Sequence, residues 1–152
     1  MTRRTALNLT LISLAVFTTT VVATPTQSRK LPFYHLPTDT RDQVLAALPK
    51  SRVMMFEVTA YCPCRKCCGP DAHGVTASGR HVTHNDGQFV AADTSVLPFD
   101  SKIVVPGYAT NGIVPVLDRG GAIKGNRLDV FFPTHKEALE WGRRMVEVIV
   151  IE

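Results

Sequence analysis

The stretch that most constrains this chain runs from Asp118 to Phe132, D-R-G-G-A-I-K-G-N-R-L-D-V-F-F. Val114 to Asp118 is apolar until it ends on a carboxylate, Gly120-Gly121 and Gly125-Asn126 mark turns, and Arg127 to Phe132 resumes as a strand. Side chains alternate across a strand. Leu128, Val130 and Phe132 therefore share one face, and Arg127, Asp129 and Phe131 share the other. Asp129 points away from the aliphatic core. A carboxylate held mid-strand, with another closing the strand before it, works against folding unless it is partnered. It is well suited to proton transfer.

The surrounding sequence supplies more short strands. Val53 to Tyr61 alternates, with Met54, Phe56, Val58 and Ala60 on one side. Phe89 to Ala92 is a short apolar run ending on Asp93, Lys102 to Val105 and Ile113 to Leu117 follow, and Met145 to Ile151 closes the chain. Strands at this spacing, separated by Gly and Pro, predict a small barrel over residues 53–152. Thr134 with Glu137 three residues on is a capping box, predicting a helix over His135 to Trp141 that Gly142 ends.

Ahead of the barrel lie two segments of different character. Arg3 and Arg4 precede an apolar run and then the small residues Val21-Val22-Ala23, the pattern of an export leader over residues 1–23. Asn8, Thr10, Ser13 and Thr18 to Thr20 make it too polar for a comfortable membrane span, so contact with a membrane is expected only through this leader. Residues 24–52 carry Pro25, Pro32, Pro37 and Pro49 and read as a linker or arm with one short helix over Arg41 to Leu48. Without the leader the formal charge falls from +4 to +2, 15 basic against 13 acidic residues, and no basic run with interleaved aromatics remains. Nucleic acid is therefore not an expected partner.

The D-R-G-G-A-I-K-G-N-R-L-D-V-F-F stretch resembles the C-terminal signature of the 3D, or three-aspartate, domain of bacterial cell-wall proteins and of the membrane-bound lytic transglycosylase A family. T-A-Y at Thr59 to Tyr61, G-V-T-A-S-G at Gly74 to Gly79 and V-A-A-D at Val90 to Asp93 extend the similarity over most of the chain from about Met55 onward. The resemblance implies a mainly β fold, a six-stranded double-psi β-barrel with one short helix near its C-terminus. It also implies that the three aspartates are Asp93, Asp118 and Asp129, with Asp129 as the catalytic acid/base. The implied activity is cleavage of the β-1,4 glycan strands of peptidoglycan outside the cytoplasm, in the periplasm, outer membrane or cell wall. The implied route is that of a lytic transglycosylase, in which the 6-hydroxyl of muramic acid attacks its own anomeric carbon and no cofactor is required. Those enzymes wall off their glycan groove with a second sizeable domain, for which the chain has little room, so a partner protein completing the groove is an expectation. A non-catalytic, expansin-like cell-wall glycan-binding module is the alternative. A cysteine-dependent metal or redox module on a barrel scaffold is a third.

For Asp129 to hold a proton near neutral pH, its pKa must rise well above the usual value of about 3.9, through desolvation or a neighbouring anion. Asp118 and Asp93 are the available anions; either can also cap a turn, a use that fits Asp93 as well as a site role does, whereas for Asp118 the site role is the favoured reading. Arg119 and Lys124 in the same loop, with Thr76, Ser78 and Tyr61, are the candidate substrate contacts. Tyr108, Phe131 and Trp141 are further aromatics for sugar stacking, with core packing the simpler use of Trp141. Four cysteines, Cys62, Cys64, Cys67 and Cys68, follow the first strand on a turn-rich loop. In an exported protein an even count favours disulfides. A zinc held by four thiolates is the rival, though the usual paired C-x-x-C knuckles are absent, and an iron-sulfur use is less favoured still. His81 and His84, spaced H-x-x-H in a polar loop, read as solvated histidines rather than ligands.

Overall fold

Each strand carries one apolar face, and burying six such faces against one another closes the sheet. The structure is a computed structural model that describes residues 33–47, 50–70 and 72–152. In chain order its elements are β1 (Phe33–Tyr34), α1 (Thr38–Ala47), β2 (Ser51–Tyr61), α2 (Arg65–Cys68), β3 (Val90–Ala92), β4 (Lys102–Val104), β5 (Ile113–Asp118), β6 (Arg127–Phe131), α3 (His135–Trp141) and β7 (Arg144–Ile151). The sheet runs β7-β2-β6-β3-β5-β4, and β4 pairs with β7 to close it. The six-stranded, mainly β barrel with a short helix near the C-terminus is thus what the chain forms.

Two of the pairings, β2 with β6 and β3 with β5, are parallel, and the other four in the ring are antiparallel. This pattern maps onto itself when β2, β3 and β4 are exchanged for β5, β6 and β7. The barrel is therefore two three-strand halves related by a pseudo-two-fold, a repeat that the residues themselves do not reveal. Its interior is filled by Phe56 and Val58, Val90 and Ala92, Ile103, Val114 and Val116, Leu128 and Val130, and Val146, Val148 and Val150, so that all six strands of the ring contribute. Full closure leaves no exposed edge within the ring.

The arm packs on the barrel. Leu36 and Leu45 cover Val53, Val104 and Ile149 on the outer surface, and Arg41 pairs with Glu147 at 3.3 Å. The helix in this arm begins at Thr38, three residues earlier than the spacing predicts, and a two-residue strand, β1, adds in parallel to the outside of β7. The expected export leader lies outside the described residues. Among the described residues no helix is long and apolar enough to cross a membrane. At the other end, α3 has its predicted bounds and its capping box. The Thr134 hydroxyl accepts from the Glu137 amide, and Glu137 Oε2 accepts from the Thr134 amide at 3.1 Å. Trp141 is buried in the core, with the Arg144 guanidinium 4.1 Å over its ring.

Candidate functional site

One extra residue decides where the acidic groups go. β3 and β5 are in register at Val90 and Val116, yet the next pair is Ala91 with Asp118, so Leu117 is a bulge. Without it Leu117 would lie beside Ala91 and Asp118 beside Ala92, whose side chain faces the core. The bulge rotates Asp118 to the outer face instead. On the other side of Ala91 stands Asp129 of β6, and beyond it Thr59 of β2. Asp118, Ala91, Asp129 and Thr59 thus form a row across four strands, with the small Ala91 between the two carboxylates.

The row continues along the β2/β6 pair in three kinds of cross-strand contact. Glu57 opposes Arg127 and accepts two of its N–H bonds, at 2.9 and 2.7 Å; Thr59 opposes Asp129; Tyr61 opposes Phe131, edge-on at 5.4 Å. Asp129 accepts a 2.8 Å bond from the Thr59 hydroxyl. Burial, and secondarily the negative charge of Asp118, push its carboxyl up to about 6, against the opposing pull of the Thr59 bond and of Arg127. Asp118 is treated differently. It accepts from the Tyr61 hydroxyl at 2.7 Å, the Ala77 amide at 2.8 Å and its neighbour Arg119's amide at 2.9 Å. Burial and the Asp118 charge raise the Tyr61 phenol far above its ordinary range, so Tyr61 serves here as a donor.

A cleft of about 240 Å³ opens against this row, lined by Tyr61, Asp118 and Phe131 on the barrel side and by Pro63, Cys68 and residues 72–75 on the loop side. A more apolar hollow of about 400 Å³ adjoins it across Pro63, Val82 and Phe131 and reaches Asp86 and Pro133. Together they make a groove floored by aromatic and aliphatic surface with a carboxylate and a phenol at one end. Phe131 is stacked on Phe89 at 4.6 Å, which fixes that floor. Asp129, next to Asp118 across Ala91, is not among the residues lining the cleft.

The remaining expected site residues are distributed unevenly. Asp93 is a turn cap: Oδ1 accepts from the Ser95 amide and hydroxyl at 3.0 and 2.7 Å, and Oδ2 accepts from the Gly125 amide at 2.8 Å. Those bonds hold it down at about 2, and it plays no part in raising Asp129, contrary to the expectation of two helping anions. Its role is to anchor the β5–β6 loop at Gly125, whose φ of 59° favours glycine. Arg119 and Lys124 are exposed on that loop. Thr76 is buried and donates to Arg80's carbonyl at 3.0 Å, and with Ser78 it shapes the turn that delivers Ala77's amide to Asp118. Tyr108 is also buried, its hydroxyl donating to Phe131's carbonyl at 2.7 Å and accepting from Phe89's amide at 3.2 Å, which removes it from any sugar platform. His81 and His84 are exposed, His81 being tied to Thr83 at 2.9 Å.

The cysteines do not form the disulfides that their even count favours. All four are free thiols, and the 3.1 Å between Cys62 and Cys64 Sγ is well beyond a bonded separation of about 2.05 Å. Cys62, Cys64 and Cys67 instead converge with His135, the first residue of α3, in a group whose chemistry can hold a metal ion. Cys68 turns the other way. Its thiol faces the Cys62 carbonyl at 3.2 Å, and its side chain lines the cleft. Three participants in these two sites, Thr59, Ala77 and His135, are not evident as such in the sequence. Thr59 lies inside the T-A-Y match and is the one a register argument finds, whereas a backbone amide and a histidine 73 positions from its partner carry no local signal.

Residues 88–152 match the 3D domain. The chain is 43% identical over 79 residues to the cell wall-binding protein YocH of Bacillus subtilis (strain 168), covering 51% of this chain and 26% of that one. It is 38% identical over 101 residues to YabE of the same organism, covering 66% and 23% respectively. The chain thus spans about a quarter of the length of these relatives. Among solved structures, MltA from E. coli matches at 23% identity and a TM-score of 0.40, over 51% of this chain and 27% of that one.

Proposed function

We propose that this chain, which carries a 3D domain at residues 88–152, is an exported protein that takes peptidoglycan glycan strands into the groove beside Tyr61 and Asp118 and cleaves their β-1,4 bonds. The observation that supports this most is the placement of Asp118 and Asp129 on either side of Ala91, the carboxyl of Asp129 being held at about 6 by burial and by the charge of Asp118. A carboxyl in that range carries a proton often enough to give it up and ionises readily enough to take one back. Asp129 protonates the glycosidic oxygen as the C–O bond breaks and positive charge develops on the anomeric carbon. The carboxylate then removes the proton from the same sugar's 6-hydroxyl as that oxygen bonds to the anomeric carbon. A 1,6-anhydro end forms, no water is consumed, and Asp129 regains its starting state. Asp118, fixed by Tyr61 and two amides, places negative charge where the positive charge grows. Nothing in this sequence of steps needs a cofactor. The relatives' names, one a cell wall-binding protein and the other referring to cell wall shaping, support the location and the substrate class.

A second reading rests on a specific observation: Asp118 lines the cleft and Asp129 does not. In that reading the row only shapes a polar end to a groove that binds glycan without cutting it. Mass spectrometry of soluble products from purified peptidoglycan separates the two. The first reading predicts 1,6-anhydro ends with the native protein and none with Asp129→Asn, while both proteins still sediment with cell walls. Reducing ends would replace the transglycosylase by a hydrolase, and sedimentation without any soluble product would establish the binding module.

A further inference from the structure

The cysteine loop sits where the β2/β6 pair ends. Tyr61 and Phe131 are its last register partners, and Phe132's amide donates to Tyr61's carbonyl at 2.9 Å. The next residue on one side is Cys62, and three residues further along the other is His135. The nitrogen His135 Nδ1 lies 3.5, 3.7 and 3.6 Å from the sulfurs of Cys62, Cys64 and Cys67, and Cys62 Sγ is 3.1 and 3.6 Å from the other two. Zinc–sulfur bonds of about 2.3 Å and a zinc–nitrogen bond of about 2.0 Å at tetrahedral angles require N···S edges of roughly 3.5 Å and S···S edges of roughly 3.8 Å. All three N···S edges meet that requirement, and one S···S edge is within a few tenths of an ångström of it. Four atoms from a turn and a helix start, 73 positions apart, do not reach such an arrangement for packing alone.

We infer that Cys62, Cys64, Cys67 and His135 bind one zinc ion in a closed tetrahedral site that fixes the loop forming one wall of the groove. Thiolate and imidazole donors select zinc among the common divalent ions, and four protein ligands leave no position open for a reacting water, so the site is structural. The backbone amides of Lys66 and Cys67 approach Cys64 Sγ, the kind of outer-shell donor that supports a metal-bound thiolate. Three thiolates leave the occupied site with one net negative charge, and Arg65 and Lys66 on the same turn offset it. Cys68, facing the cleft, is outside the ligand set. Pro63 and Cys68 line the groove from this loop, so the metal sets the groove's width without entering its chemistry. The inference does not depend on whether the groove cleaves or only binds glycan.

The test is elemental analysis of the full chain purified without chelator, paired with native thiol counting. About one zinc per chain is expected, with one fast-reacting thiol before chelation and four after it. His135→Ala and Cys67→Ser should each lower zinc affinity at least tenfold in competition with a chromogenic chelator, and Cys68→Ser should leave it unchanged. Cobalt added to the reduced apo native chain should give the intense visible bands of a tetrahedral thiolate site, a readout independent of how the variants fold. Zinc-free protein with two disulfides by mass, or full zinc affinity retained in both His135→Ala and Cys67→Ser, would overturn the assignment.

Discussion

Two carboxylates of the same three-aspartate pattern meet opposite fates. Asp93, just past the end of β3, accepts three hydrogen bonds in a turn and is held at about 2. Asp129, mid-strand in β6, has one side-chain donor, a half-buried setting and an anionic neighbour, and is raised to about 6. The pattern alone treats them as equivalents. What separates them is the number of donors that reach each one and how far each is removed from water, and both follow from position on the barrel. One aspartate holds a loop in place, while the other stores free energy in a form that proton transfer can use.

The largest test of this contrast is catalytic. Asp129→Asn should lower release of soluble muropeptides by about 10²–10⁴-fold, whereas Asp93→Asn should lower it only as far as the Gly125 loop is loosened. Next comes stability against pH. The folded-state pKa of Asp129 lies above its unfolded value of 3.8, so its favourable contribution is complete below 3.8 and is lost as pH rises through about 6. A shift of that size is worth roughly 3 kcal/mol. Asp129→Asn should therefore make the barrel more stable at pH 7, by up to about that amount in urea unfolding, and should flatten the decline between pH 4 and 6. Asp93 has the reverse sign. Its contribution is present above 3.8 and lost as pH falls through about 2, so Asp93→Asn should blunt the acid limb of the stability curve and leave the pH 4–6 limb intact.

Two smaller changes act on Asp118 and Asp129 through Tyr61 and Thr59. Tyr61→Phe removes one of the three donors to Asp118 and should cost about 1–3 kcal/mol of stability by thermal unfolding. Thr59→Val removes the hydroxyl that favours the charged form of Asp129, so the carboxyl should titrate higher still, by less than about one pH unit. A lower titration point in that variant would mean that the Thr59 bond does not favour the charged carboxylate.

Much of the barrel was legible because alternation is a local property. Val58 and Leu128 inside, Thr59 and Asp129 outside, and the capped helix at His135 all follow from spacing within a few residues. The aspartates, Tyr61 and the aromatic floor at Phe131 were likewise legible as candidates. What escaped depends on pairing between distant segments. The bulge at Leu117 exists only relative to β3, and it decides that Asp118 joins Asp129 while Asp93 does not. The Ala77 amide is a backbone group with no letter of its own. His135 reads as an ordinary first residue of a helix until the fold sets it against three sulfurs from the far end of β2. The even cysteine count pointed to disulfides because counting cannot see a histidine from another segment.

The different proton affinities of Asp93 and Asp129 set the roles of both residues. Carbon-detected NMR titration of the aspartate carboxyls in the full chain, with Asp129→Asn and Asp93→Asn used for assignment, measures both at once. A midpoint near 6 for Asp129 and near 2 for Asp93 is the expected result. A midpoint for Asp129 at or below about 4, the value of an ordinary aspartate, would contradict it and remove the acid/base from the site.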